Sequence, residues 1–339
     1  MIASARPIPA FLTEGAGADR GLICGYRIIQ GQFPQEIAVE RLVESLSRGG
    51  VTWLHFNLSE TRARRWLLDS EFLPLTLREI LNDHDANRRI EWTDDGLLLV
   101  LNDFTFEDVA DPSDVAPLWS FARGDLLITA RMHPLKSADD LRLSMRDRSS
   151  AASGFELVTQ LLQLRTRHLR RRVEKMVDLL DDIEDEILAG NVHEQREQLG
   201  RTRRVCARWR RSFAPERSDL GKFLQREQAQ FSPGDATALH EESESLRFTL
   251  EEIAEIYERA KLLQEELAAR LAETTSRNLY VLSILTAVLL PMTLVTGIFG
   301  MNVAGMPGLH DAAAFWRVMF LVVASGVVTL VGFIWRRFL

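Results

Sequence analysis

The sequence predicts an α+β cytoplasmic domain, a mixed sheet flanked by helices, followed by a long α-helical stalk and two C-terminal transmembrane helices. Three observations predict it. Two runs near the C-terminus, Leu279–Phe299 and Val318–Trp335, contain no charged residue. Ahead of them, apolar residues recur at three- and four-residue intervals from Leu162 to Leu271, with breaks. Earlier still, short β-rich runs are separated by Gly, Asp and Asn. The expected division is an α/β domain over 1–153, a helical and stalk region over 154–277, a first span over 278–300, an external loop over 301–314 and a second span over 315–337.

In the first domain, Gly50–Leu58, Arg88–Trp92, Gly96–Phe104, Ala116–Phe121 and Asp125–Ala130 have strand length and composition. Asp94–Asp95–Gly96 and Arg123–Gly124–Asp125 read as hairpin turns. Helical patterns cover Pro34–Ser47, Thr61–Leu68 and Leu75–Asn82. After Ser153 a long amphipathic helix carries Leu162, Leu169, Val173, Met176, Leu180, Ile183 and Ile187 toward a stop at Gly190–Asn191. A second stretch brings Val205, Trp209 and Phe213 to Pro215, then runs from Leu220 to about Phe231; Ser232–Pro233–Gly234–Asp235 breaks the chain. From Ala236 a seam of Leu246, Leu250, Ile253, Tyr257, Ala260, Gln264, Leu267 and Leu271 reads like a coiled coil. It enters the first span without Pro or Gly, so stalk and span are expected to be one helix of roughly 60 residues.

Each apolar run covers roughly 27–32 Å at about 1.5 Å per residue, the thickness of a hydrocarbon core. The average composition, 46% hydrophobic and 26% charged, hides this. Beyond Arg277 stand three cations (Arg317, Arg336, Arg337) and one anion (Asp311), a balance of +2, which leaves −9 of the net −7 on the head. An acidic head attracts cations and argues against nucleic acid. Cys24 and Cys206 are too few for a disulfide framework, zinc knuckle or CxxC centre. No GxGxxG, P-loop, HExxH or GxSxG occurs in the head, so no enzyme is expected. The first twenty residues lack an apolar core, so no cleaved signal peptide is expected.

Arg277 precedes the first run, Arg336 and Arg337 follow the second, and 300–315 holds no Lys or Arg. That asymmetry puts both termini in the cytoplasm. Two helices per chain cannot enclose water, so a conducting protein must form a ring of copies. The other reading is a hairpin that only anchors the head.

Around the outer end of the first run the chain reads PMTLVTGIFGMNVAGMPG, Pro291 to Gly308, with Gly300–Met301–Asn302 as GMN. A GMN closing the penultimate span, after a P-x-T-x-x-x-G run, resembles the CorA superfamily of divalent-cation transporters. The segments RRIEWTDDGLLLVLNDF, LLITARMHPL and RRSFAPERSDL are also similar to parts of that family's head. The resemblance implies a homopentameric funnel in the bacterial inner membrane, with the lipid bilayer, its own copies and divalent cations as partners and no resident cofactor. It makes Gly300, Met301 and Asn302 the selectivity filter. The loop after Asn302 lacks a carboxylate through Gly308, and its GMPG version is similar to the ZntB zinc transporters. The implied ion is therefore Zn²⁺. A CorA-type Mg²⁺/Co²⁺ channel and a non-conducting membrane-anchored sensor or scaffold are the alternatives.

The residues are compatible with such a filter. A helix end leaves up to four unpaired carbonyls, and Asn302 adds an amide oxygen. A ring of neutral acceptors holds a hydrated ion without trapping it. No Cys or His lies between Arg277 and Gly308, so no tight inner-sphere zinc site is offered there. One face of the first span, at three- and four-residue spacing, carries Ser276, Leu279, Leu282, Thr286, Leu290, Thr293 and Gly297. The resemblance assigns this stripe to the pore lining, with Leu282 and Leu290 as dewetting constrictions. Alternatively the threonines bond back to their own helix or pack on neighbours. Pro291 is expected to bend or soften the span. The span holds no Asp, Glu or His, so a proton relay would have to lie elsewhere.

Three weaker sites remain. His310 and Asp311 in the external loop are an ion-attracting pair or two solvated residues. Asp178, Asp181, Asp182, Glu184, Asp185 and Glu186 crowd one helix and repel at i,i+4. A cytoplasmic cation site (Asp178, Asp181, Asp182, Asp185, Glu186) or basic neighbours would relieve them, and the arginines from Arg201 to Arg211 are the obvious ones. Cys206 on that arginine-rich helix is either an activated thiol or a buried structural one.

Overall fold

The run Leu97–Leu101 shows no alternation of apolar and polar residues because both faces of its strand are covered. Leu97, Leu99 and Leu101 join one apolar cluster, and Leu98 and Val100 join the other. Near-continuous apolar strands are what a sheet buried on both sides requires. The computed structural model describes residues 21–37, 49–70, 73–83, 87–93, 96–106, 115–146, 151–190, 194–301 and 313–338.

Among these, seven strands form one sheet: β1 (Leu22–Ile28), β2 (Gln35–Glu36), β3 (Val51–Asn57), β4 (Arg89–Thr93), β5 (Gly96–Phe104), β6 (Val115–Arg123) and β7 (Leu126–Arg131). Their order is β2-β1-β3-β7-β6-β5-β4. Strands β4 to β7 are an antiparallel meander, and β3 lies parallel to β7 with Leu54 opposite Ile128. The turn at Gly124–Asp125 joins β6 to β7 as expected. The hairpin residues Asp94 and Asp95 lie outside the described residues, although Thr93 pairs with Gly96.

Two expectations for the head are corrected. β1 went unread, because Cys24, Gly25 and Tyr26 are consecutively buried and leave no period of two. The helix expected at Pro34–Ser47 does not begin there: Gln35–Glu36 pairs with Tyr26 and Arg27, and the Ile37 N–H bonds the Gly25 carbonyl at 2.8 Å. Residues 38–48 lie outside the described residues.

One face of the sheet is covered by α1 (Thr61–Asp69) and α2 (Leu75–Asp83) through Trp66, Leu67, Leu77 and Leu81. The other face is covered by α3 (Lys136–Ser144), α4 (Gly154–Leu188) and the end of α5 (Gln195–Glu227). Ser153 caps α4 by accepting the Glu156 N–H at 3.0 Å. Gly154 is dictated by close approach: a Cβ there would lie 2.3 Å from the Arg123 carbonyl oxygen in the β6–β7 turn.

Helix α5 passes through Pro215 unbroken, where the sequence suggested two segments. Proline leaves the carbonyl four residues earlier without its donor. Here Arg88 supplies one, from Nη1 to the Ser212 carbonyl at 3.1 Å and the Arg211 carbonyl at 3.4 Å. The break expected around Ser232 is present, between the end of α5 and the next helix, and Ser232 also serves as the start of that helix. The Ser232 hydroxyl accepts the Asp235 N–H at 3.1 Å and Pro233 occupies the first turn. Helix α6 then runs from Pro233 to Phe299, 67 residues in one piece.

The chain forms two compact units, Met1–Leu263 and Gln264–Leu339, and α6 contributes to both. Along α6 one half of the predicted seam is kept: Leu246, Ile253, Ala260 and Leu267 are buried. Its other half shifts by one residue, to Thr249, Ile256 and Leu263, because those side chains, not Leu250, Tyr257 and Gln264, point inward.

Between α4 and α5, Arg165 and Glu216 form an ion pair with side chains only 3% and 1% exposed. Arg165 also donates to the Asn102 carbonyl of β5 at 3.1 Å. Removing one partner strands a charge, at about 3–5 kcal/mol, whereas replacing both is often neutral. Arg165→Met should therefore lower the melting temperature of the purified protein far more than Arg165→Met/Glu216→Leu does. Equal losses in the two variants would refute this account of the pair.

Candidate functional site

In the second unit, α6 meets α7 (Ala314–Phe338) as a pair of apolar helices, each long enough to cross a membrane. Their packing uses a small residue: Gly326 is buried, and a Cβ there would stand 2.9 Å from Met292 Sδ. Close approach through glycine is the usual way apolar helices associate in lipid. Ile284, Ala287, Val288, Pro291, Met292 and Val295 form the half-covered row of α6.

The predicted stripe lies elsewhere on the helix. Ser276, Leu279, Leu282, Thr286, Leu290, Thr293 and Gly297 are all exposed, Leu290 by 69%. At about 100° per residue they fall on the side roughly opposite the half-covered row. The helix continues through Pro291 without a break.

Both threonines also bond back to their own helix: Thr286 donates to the Leu282 carbonyl at 2.9 Å and Thr293 to the Leu289 carbonyl at 2.8 Å. The two readings of these residues are thus not exclusive. A hydroxyl that has given its one proton to the backbone presents only lone pairs outward. Such oxygens suit a cation or the hydrogens of its water shell.

At the outer end, the Gly300 N–H bonds the Thr296 carbonyl at 2.9 Å and the Met301 N–H bonds that of Ile298 at 3.4 Å. Two last-turn carbonyls are therefore engaged within the chain. Met301 is half exposed. Asn302, His310 and Asp311 lie outside the described residues.

The acidic helix face finds a partner that the sequence did not single out. Arg259 of α6 reaches Asp181 Oδ1 at 2.6 Å and also binds Glu184. These hydrogen bonds, Glu184 first, push the Arg259 pKa up. The expected partners are occupied differently: Arg201 bonds Glu197 on its own helix, and Arg203 donates to the Tyr257 hydroxyl at 3.2 Å. Asp182 and Glu186 line a shallow notch with Glu194. Among the described residues no group of three or more His, Cys, Asp or Glu side chains is arranged to hold a metal ion.

Cys206 is fully buried, and desolvation pushes its pKa up to about 12, so it is the structural thiol of the two readings. His168 pairs with Asp140 at 2.8 Å, and His55 is enclosed beside Thr129 and Arg131, where burial lowers its pKa to about 3.

Sequence reading also missed Glu242, 7% exposed on α6 with Oε1 lacking a hydrogen-bond partner among the described residues. Burial raises its pKa; the Thr166 hydroxyl, Arg165 and Arg170 oppose the rise and Glu216 adds to it. It sits one residue before the buried Ser243 and four before Leu246, so the inward face of α6 could have shown it.

These features define a membrane protein with an α+β head and two C-terminal spans. Residues 48–337 match the family described as CorA-like Mg²⁺ transporter protein. The chain belongs to this family of divalent-cation transporters. It is 30% identical over 330 residues to the divalent cation transporter CmaX of Pseudomonas aeruginosa, covering 95% of this chain and 97% of that one. The solved full-length CmaX structure superposes with a TM-score of 0.80 at 29% identity, over 95% of this chain and 99% of the other. The zinc transport protein ZntB of Yersinia enterocolitica is 25% identical over 277 residues, 81% of this chain and 84% of that one. The CorA magnesium transporter of Methanocaldococcus jannaschii, at 17% identity, shares the fold with a TM-score of 0.74 over 93% and 97% of the two chains.

Glu242 makes a pH prediction. A carboxyl whose folded pKa is raised adds stability that is fully present below its unfolded value and lost as pH rises through the folded one. The stability that Glu242 contributes should therefore decline as pH rises above the ordinary carboxyl range, and Glu242→Gln should remove that part of the pH dependence of the melting temperature. Identical slopes for the two proteins would remove Glu242 from this role.

Proposed function

We propose that the chain assembles as a homopentamer whose α6 helices surround a water-filled bore, and that the bore carries divalent cations, Zn²⁺ in preference to Mg²⁺, across the inner membrane. One observation carries the reading: the Ser276-to-Gly297 stripe is exposed on the side of α6 away from α7. In a hydrocarbon environment the outward lone pairs of these back-bonded hydroxyls meet no donor, whereas in a ring of copies they face water. Thr286 and Thr293 then offer rings of acceptor oxygen, and Leu282 and Leu290 the apolar constrictions between them. Gly300, Met301 and Asn302 form the outer filter.

The arginine distribution supports a topology with both termini in the cytoplasm and the 301–314 loop outside. There His310 and Asp311 concentrate cations at the mouth. The preference for zinc rests on two things: the loop after Asn302 has no carboxylate through Gly308, and relatives of this chain are named zinc transport proteins. Because the span offers neutral oxygen and no thiol or imidazole, the ion crosses with its water shell largely in place. On the acidic face of α4 Arg259 pairs with Asp181 and Glu184, which favours reading Asp178, Asp181, Asp182, Asp185 and Glu186 as salt-bridged and solvated side chains over a regulatory cation site. The family, described as CorA-like Mg²⁺ transporters, favours Mg²⁺ as the second reading.

Liposomes containing the purified protein and a zinc-sensitive dye, with Mg²⁺ as competitor, separate the readings. Zinc influx that resists excess Mg²⁺ is expected. Magnesium flux without zinc flux supports the second reading, and no flux under any gradient leaves a membrane-anchored scaffold. Asn302→Ala should cut zinc flux at least tenfold. Thr293→Leu should narrow the bore and lower flux with the oligomer intact by native mass spectrometry; unchanged flux would take Thr293 out of the lining.

A further inference from the structure

The head contains a polar cavity that ion passage does not use. Its volume is about 340 Å³, and it opens between the β1–β2 edge of the sheet and the end of α3. The cavity is lined by two kinds of surface. Arg142 and Arg146, one helical turn apart, give it a cationic wall. Cys24 and Tyr26, 5% and 7% exposed, form the floor, while Phe33, 57% exposed, and the exposed Glu36 stand at the rim.

The cationic wall is poised for an anion. Asp139 accepts from Nε and Nη2 of Arg142 at 2.9 and 2.6 Å, which fixes that guanidinium, offsets its charge and leaves Nη1 as its remaining donor. Arg146 has no acidic partner among the described residues. The thiol below adds no competing negative charge, since burial pushes Cys24 up to about 12. The Arg146 guanidinium can meet phosphate oxygens in a forked, charge-assisted geometry, with Arg142 adding a single N–H donor. An aromatic ring at the mouth adds a flat apolar surface, and a carboxylate at the rim accepts from hydroxyl groups.

We propose that this cavity binds a nucleoside monophosphate. The phosphate sits on Arg142 and Arg146, the base lies against Phe33, and ribose hydroxyls donate to Glu36. The volume is at the low end of the roughly 300–1,000 Å³ usual for small-molecule sites, which suits one nucleotide and not a dinucleotide. This site does not depend on the transport reading, because a protein that moves no ions would bind the nucleotide equally.

Isothermal titration of the full-length protein in detergent with AMP, inorganic phosphate and glycerol phosphate tests it. AMP should bind at least tenfold more tightly than either of the other two. Arg146→Gln should weaken all three by about tenfold, the loss of one charge-assisted contact. Phe33→Ala should weaken AMP alone. Both side chains are exposed, and an unchanged melting temperature will verify that each variant folds. Absence of AMP binding at millimolar concentration, or equal AMP affinity in wild type and Arg146→Gln, overturns the site. Equal affinity for AMP and inorganic phosphate overturns the nucleoside assignment.

Discussion

Two apolar helices packed against each other cover one face apiece, and each keeps another face with no partner in its own chain. On α7 the remaining surface is Phe, Leu, Val and Trp, which lipid can cover. On α6 it includes Ser276, Thr286, Thr293 and Gly297, which lipid covers poorly. That mismatch is the constraint on which the functional reading turns. Thr286 and Thr293 meet half of it internally by donating to their own helix carbonyls, and the lone pairs that remain face outward.

The head meets a different demand, since a mixed sheet with apolar residues on both faces needs a layer of helices on each side. Helices α1 and α2 supply one layer and α3 to α5 the other. The second layer contains ionisable side chains at positions where a hydrocarbon core would be simpler. Arg165 joins α4 to α5 and to the edge of β5, and Arg172 lies 3.9 Å from the centre of the Phe104 ring. Buried pairs of this kind do not ensure stability, but they penalise any packing in which the partners separate. Arg88 shows the same economy at Pro215, where a long side chain replaces the backbone donor that proline lacks.

Much of the fold was legible in the chain. The strands from β3 to β7 and the limits of α4 follow from local composition, turn residues and caps, which act within a few residues of one another. The elements that escaped depend on partners distant in sequence. β1 is a strand because β3 and β2 pair with it, and its own pattern has no period. The second row of the α6 seam sits at Thr249, Ile256 and Leu263 because the head presents its packing surface there; a three–four repeat alone allows either row.

The site divides along the same line. Length and absence of charge determined by themselves that two segments span a membrane, since hydrocarbon thickness and the cost of an unpaired polar group are properties of the solvent. The GMN motif and the stripe spacing likewise belong to one helix and its end. Which face of that helix stays open was decided only by tertiary structure, because it depends on where Gly326 allows Met292 to settle. The same holds for Arg259 as the partner of Asp181 and Glu184, and for the burial of Glu242 beside Thr166. Charges separated by tens of residues meet only when helices pack, and the sequence holds many arginines that serve equally well until they do.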